Sequence, residues 1–128
     1  MALATQFCVG LDNKPGMLAR LAGALRRAKV NIEAIAVADS ADCCWVRLLA
    51  SPTAAAKTAL TRGRFNFSTQ RVLCLKVANR PGELERIASR LAKAGVNIHY
   101  VYGSNAKGPT STLVLAVSDL ARAAKAVR

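Results

Sequence analysis

The stretch Asn13-Lys14-Pro15-Gly16-Met17-Leu18 returns 66 positions later as Asn79-Arg80-Pro81-Gly82-Glu83-Leu84. The echo runs on without a gap. Asn13–Ile32 aligned with Asn79–Ile98 gives 11 identities in 20 positions. A repeat of this kind constrains the fold more than any composition value. It predicts two copies of one compact unit, residues 1–70 and 71–128, each turning on an Asn-basic-Pro-Gly loop. Units this small bury only roughly 60% of their unfolded surface and are marginal alone. They are expected to share an interface and to form a homodimer.

Within each copy the pattern alternates between strand and helix periods. Phe7, Val9 and Leu11 alternate with Cys8 and Gly10, as a half-buried strand does. After the loop, Leu18, Leu21, Ala22, Leu25 and Ala28 fall on one helical stripe, with Arg20 and Arg27 on the wet side. Pro15 suits the first turn of that helix. Val30–Ala38 reads as a strand, and Asp39-Ser40-Ala41-Asp42 as a turn. Cys43–Ala50 is apolar on both faces and reads as a central strand. Ser51 and Pro52 are placed to start a short alanine-rich helix, Thr53–Thr61, that Arg62-Gly63 ends. Arg64–Ser68 alternates again and closes the unit.

The second copy follows the same plan. Leu73, Leu75 and Val77 face inward on its first strand, and Leu84, Ile87, Ala88 and Leu91 lie on the apolar side of its helix. Gly95 supplies a left-handed residue after that helix. Its counterpart Lys29 must accept the same conformation or end its helix in another way. Val96–Tyr102 and Thr110–Val117 are strands around a Ser104–Pro109 loop, and Asp119 caps a last helix from Leu120 to Arg128. No strand follows, so the second unit lacks the strand that Arg64–Ser68 provides to the first. The strand around Cys74 is therefore expected to be an open edge that invites pairing. The order βαββαβ predicts an α+β protein of two ferredoxin-like units, antiparallel sheets with helices on one face.

Composition narrows the function classes. Hydrophobic residues make up 52% of the chain, so a folded domain is the default. No apolar run reaches the ~18 residues of a membrane span. Residues 1–6 do not read as a signal peptide, and a cytoplasmic setting is expected. The net charge of +12 would attract polyanions, but the basic residues are dispersed and form no block. Cys8, Cys43, Cys44 and Cys74 form no CxxC pair, so neither a metal site nor a cofactor is expected. His99 has no evident Asp, Ser or Cys partner.

The Pro-Gly loop, the helix and the Val-Asn-Ile that opens the next strand, all present twice, resemble the ACT domain. ACT domains are small regulatory modules attached to amino-acid biosynthetic enzymes. The resemblance covers nearly all of residues 6–128 and implies a free-standing tandem ACT protein. It implies a non-catalytic sensor of an amino acid, with an amino-acid metabolic enzyme as a possible partner. Serine-binding members of a dehydrogenase family hold the ligand between two domains, through the loop Asn and the Asn that opens the second strand. By position these are Asn13 and Asn79, and Asn31 and Asn97. The resemblance thus implies ligand sites at Asn13, Pro15, Gly16, Met17, Leu18 and Asn31, and at Asn79, Pro81, Gly82, Glu83, Leu84 and Asn97. If the halves pair, Asn13 faces Asn97 and Asn79 faces Asn31.

The chemistry agrees. An Asn amide both donates and accepts, and free N–H groups at a helix start favour a carboxylate. Gly16 and Gly82 let the backbone come close to a ligand. Asn also forms turns and caps helices with no ligand present. The serine-binding members carry a contacting His two residues before the loop Asn. Here Leu11 and Val77 stand there, which leaves serine no better a candidate than a more apolar amino acid. Met17 and Glu83 make the two rims chemically different.

Two other classes share the topology. RNA-recognition modules stack bases on strand aromatics, but here Trp45 stands alone, so nucleic acid is not the expected partner. A structural or assembly role without a ligand remains the other alternative. Acylphosphatases need a longer, Arg-bearing phosphate loop, so no catalytic residues are assigned.

Overall fold

The computed structural model describes residues 2–40, 43–104 and 107–128. Ala41 and Asp42 of the expected turn, and Asn105 and Ala106 of the expected loop, lie outside the described residues. Contacts divide the chain into two units, residues 5–70 and residues 71–128 together with residues 1–4.

The first unit runs β1 (Ala2–Asp12), α1 (Met17–Arg27), β2 (Asn31–Asp39), β3 (Cys43–Ser51) and α2 (Thr53–Arg62), and ends in β4 (Asn66–Ala78). Its strands lie in the order β2-β3-β1-β4. β1 pairs antiparallel with β3, with Phe7 opposite Leu48 and Val9 opposite Val46. Those four side chains are fully buried and pack with Leu21 and Leu25 of α1 and Leu60 of α2. The core therefore sits between one sheet face and the two helices. Burying a leucine such as Leu25 contributes about 1.5–3 kcal/mol.

The second unit runs from β4 through α3 (Glu83–Lys93), β5 (Ile98–Ser104) and β6 (Thr110–Val117) to α4 (Leu120–Ala126). Leu73, Leu75 and Val77 pack with Ile87, Leu91 and Leu115. The inward alternation of β1 and β4 is thus as the pattern predicts, and the βαββαβ reading of an α+β protein holds.

Several expectations are corrected. The two strands expected at Arg64–Ser68 and Val72–Val77 are one continuous strand, Asn66–Ala78. Ser68-Thr69-Gln70-Arg71 contains no Gly or Pro to break it. No strand follows α4 among the described residues, yet the strand around Cys74 is not an open edge. β4 has both β1 and β6 as hydrogen-bonded neighbours, and residues 2–4 of β1 group with this unit. β5 begins at Ile98 rather than Val96. Pro15 stands before α1, not in its first turn, and Ser51 does not cap α2, whose cap position is Pro52. Leu18 and Leu84, placed on the buried stripes, are both 47% exposed. The stripe begins one residue earlier, at half-buried Met17 and buried Glu83.

Three helices end in the same way. Lys29 (φ 59°), Arg64 (φ 58°) and Gly95 (φ 73°) each take the left-handed conformation just past the helix. The next N–H then reaches back five residues: Val30 to Leu25 O at 2.9 Å, Phe65 to Leu60 O at 3.0 Å and Val96 to Leu91 O at 2.9 Å. Val30, Phe65 and Val96 are all buried, the apolar contact that accompanies this motif. Of the two options open to it, Lys29 takes the strained, left-handed one, the conformation of Gly95 at the equivalent place. At the end of α2 the left-handed residue is Arg64, not Gly63.

Candidate functional site

β1 and β4 deliver the two Pro-Gly loops to equivalent places. Each strand ends in a tight turn, with Lys14 N–H donating to Asp12 O and Arg80 N–H to Ala78 O, both at 3.0 Å. Gly16 (φ 88°, ψ −13°) and Gly82 (φ 93°, ψ −7°) then take the left-handed conformation at the N-caps of α1 and α3. Beyond the chain neighbours, a side chain at either would meet none of the described residues within 4 Å. The first intrahelical bonds are Arg20 N–H to Gly16 O and Arg86 N–H to Gly82 O, each at 3.0 Å. No side chain caps either helix. The N–H groups of the first turn lie ahead of those bonds, where an anion is favoured.

The loop asparagines pin each loop to the connection between the unit's second and third strands. Asn13 Nδ2 donates to Ser40 O at 3.3 Å, and Asn79 Nδ2 donates to Gly108 O at 3.0 Å. The backbone N–H of Asn79 also donates to Pro109 O at 2.9 Å. Cys44 Sγ lies 3.5 Å from Asn13 Oδ1, as a thiol donor. Each amide keeps a second N–H, and most of its carbonyl capacity, for a ligand. Cys44 is a neighbour that periodicity could not reveal, since it depends on the register of β1 with β3.

The strand asparagines lie elsewhere. Asn31 opens β2 and lines an open groove of about 470 Å³ with Leu25, Arg26 and Lys29. Asn97 precedes β5; its N–H donates to Ser118 Oγ, and its carbonyl accepts from Ser118 N–H, both at 2.9 Å. α1 separates Asn13 from Asn31 by about 16 Å of helix. One unit therefore does not bring its own two asparagines together.

The rims differ in charge. The first turn of α1 holds no acidic residue, whereas α3 begins with Glu83 and Glu85. Glu83, buried where Met17 stands in the first unit, accepts from Arg86 Nη2 at 2.9 Å and from Arg80 Nε at 3.3 Å. The Arg86 hydrogen bonds hold its carboxyl below the usual range; burial opposes this, and Arg80 adds to the lowering. The positive end of α1 thus stays open to an anion, while that of α3 is offset by the chain's own carboxylates.

Among the described residues no group of three His, Cys, Asp or Glu side chains could hold a metal ion. His99 is exposed beside the irregularity of β5. No helix among those residues is long and apolar enough to cross a membrane.

The profile of the ACT domain pair matches residues 1–127. The chain belongs to the ACT domain pair family. This ACT pair is similar to protein BT0572 of Bacteroides thetaiotaomicron, at 26% identity and a TM-score of 0.92, covering 98% of this chain and 86% of that one. It also shares its fold with the regulatory subunit of aspartate kinase from Thermus thermophilus, in its ligand-free form. There the identity is 15% and the TM-score 0.69, covering 98% and 93% of the two chains. The corresponding subunit from Thermus flavus matches at 16% identity and a TM-score of 0.62, covering 98% and 93%. No curated protein is significantly similar in sequence. The family assigns this ACT pair a regulatory, ligand-binding role.

Proposed function

We propose that this ACT pair is a non-catalytic sensor of a free amino acid, which binds at the Asn-basic-Pro-Gly loops. The observation that carries the reading is the matched backbone of the two loops. Gly16 and Gly82 hold nearly the same left-handed angles ahead of an uncapped helix start, with none of the described residues beyond the chain neighbours within 4 Å of the place a side chain would take. The α-carboxylate sits against first-turn N–H groups, and Asn13 or Asn79 reads the α-ammonium through its carbonyl oxygen. Leu18 and Leu84, exposed beside the loops, suit an apolar side chain.

Asn31 or Asn97 of a second copy of the chain completes each site, since one unit holds its own pair at opposite ends of a helix. That geometry favours a homodimer. The edge strands support it, because Ile35, Val37 and Val101 leave exposed apolar surface on β2 and β5. The resemblance in fold to subunits named as regulatory parts of aspartate kinase supports a partner enzyme of amino-acid metabolism.

The test is a thermal-shift screen of the purified protein against the proteinogenic amino acids, repeated with Asn13→Ala and Asn79→Ala. One or a few amino acids should raise the melting temperature at millimolar concentration, and at least one variant should lose the shift. A flat screen with a folded, dimeric protein would remove the sensor reading.

A further inference from the structure

The helical layer of the first unit carries charge of one sign. Residues 13–32 and 51–65, which carry α1 and α2 and their flanking loops, contain eight Lys or Arg and no Asp or Glu. α1 contributes Arg20, Arg26 and Arg27, and α2 contributes Lys57 and Arg62. Among the described residues Arg26, Arg27, Lys57 and Arg62 take part in no ion pair. The second unit differs. Its helices include Glu83 and Glu85, with Asp119 at a cap, and Arg86 and Arg122 are paired to acids.

Between α1 and α2 runs an open groove of about 670 Å³. Half-buried Ala24, Ala55 and Ala59 line it, together with exposed Thr58, Arg27 and Arg62. Alanines leave depth between two helices that larger apolar side chains can fill, and a third helix packs into such a groove by ordinary ridge geometry. The cations repel one another, and acids from outside relieve that repulsion. A nucleic-acid strand would use the cations but would leave the alanine-lined depth unfilled.

We propose that this groove docks an acidic amphipathic helix of a partner protein. The partner's apolar stripe enters over Ala24, Ala55 and Ala59, and its flanking Asp or Glu residues meet Arg27 and Arg62. The groove lies along the C-terminal half of α1, away from the Pro-Gly loop, so docking does not depend on the amino-acid reading.

The test uses fluorescence anisotropy with the unaltered protein and three labelled synthetic helices. The first carries leucines at i, i+3 and i+7 flanked by glutamates. The second replaces the glutamates by lysines, and the third replaces the leucines by serines. The first should bind at least about tenfold tighter than either of the others. Arg27→Glu with Arg62→Glu, and Thr58→Phe at an exposed groove position, should each weaken it while leaving the circular dichroism melt unchanged. The proposal is overturned if the first peptide fails to bind, or if the serine peptide binds as tightly. Labelled single-stranded RNA that binds more tightly through the same arginines would also overturn it.

Discussion

Arg20 and Arg86 stand 66 positions apart at the same turn of α1 and α3, and each takes a different partner. Arg20 Nη2 donates to Gly63 O at 2.8 Å, and its guanidinium lies 4.7 Å from the centre of the Phe65 ring. Arg86 instead holds Glu83 with two bonds, at 2.9 and 3.4 Å. One inherited cation thus ties α1 to the end of α2 in the first unit, and in the second closes a local pair at the start of α3. Arg86→Ala should lower the melting temperature, because it leaves Glu83 buried with only the more exposed Arg80. Glu83→Met, which copies the first unit, should restore much of the loss in the Arg86→Ala background. A calorimetric comparison of the single and double variants decides this, and equal losses in both would show that the pair is not coupled.

Glu83 also predicts a pH dependence. Its carboxyl is held below its ordinary value of 4.5, mainly by Arg86. A lowered folded-state value means that the pair stabilises the fold at pH values above the ordinary range. That contribution is lost as pH falls through the folded-state value. Melting curves taken from pH 6 down to pH 3 should therefore drop more steeply for the native sequence than for Glu83→Gln. Parallel curves would contradict the assignment.

The left-handed residues give a test that needs no ligand. Lys29→Gly and Arg64→Gly relieve a strained conformation and should each raise stability by about 0.5–1 kcal/mol. Gly95→Ala should lower it by roughly 1–2 kcal/mol. Urea denaturation of the three variants would check both signs.

Leu18 and Leu21 lie three residues apart on α1 and should respond very differently. Leu21 is 1% exposed, so Leu21→Ala should cost about 2–5 kcal/mol through the cavity it leaves. Leu18 is 47% exposed, and Leu18→Ser should change unfolding free energy by less than about 0.5 kcal/mol. The same Leu18→Ser variant should weaken amino-acid binding in the thermal-shift screen, because Leu18 flanks the first loop.

The repeat and the strand alternation of Phe7, Val9 and Leu11 are local properties. Period and backbone sterics alone determine them, so the sequence by itself settled the tandem ferredoxin-like plan and the place of both Pro-Gly loops. The joining of Asn66–Ala78 into one strand is not local in this sense. Nor is the grouping of residues 2–4 with the second unit, the Cys44 thiol against Asn13, or the divergence of Arg20 and Arg86. Each depends on which strand a residue is hydrogen-bonded beside, and on which side chain a packed neighbour presents. Hydrogen-bond register and side-chain packing arise only when distant segments meet, so the tertiary structure alone decided them.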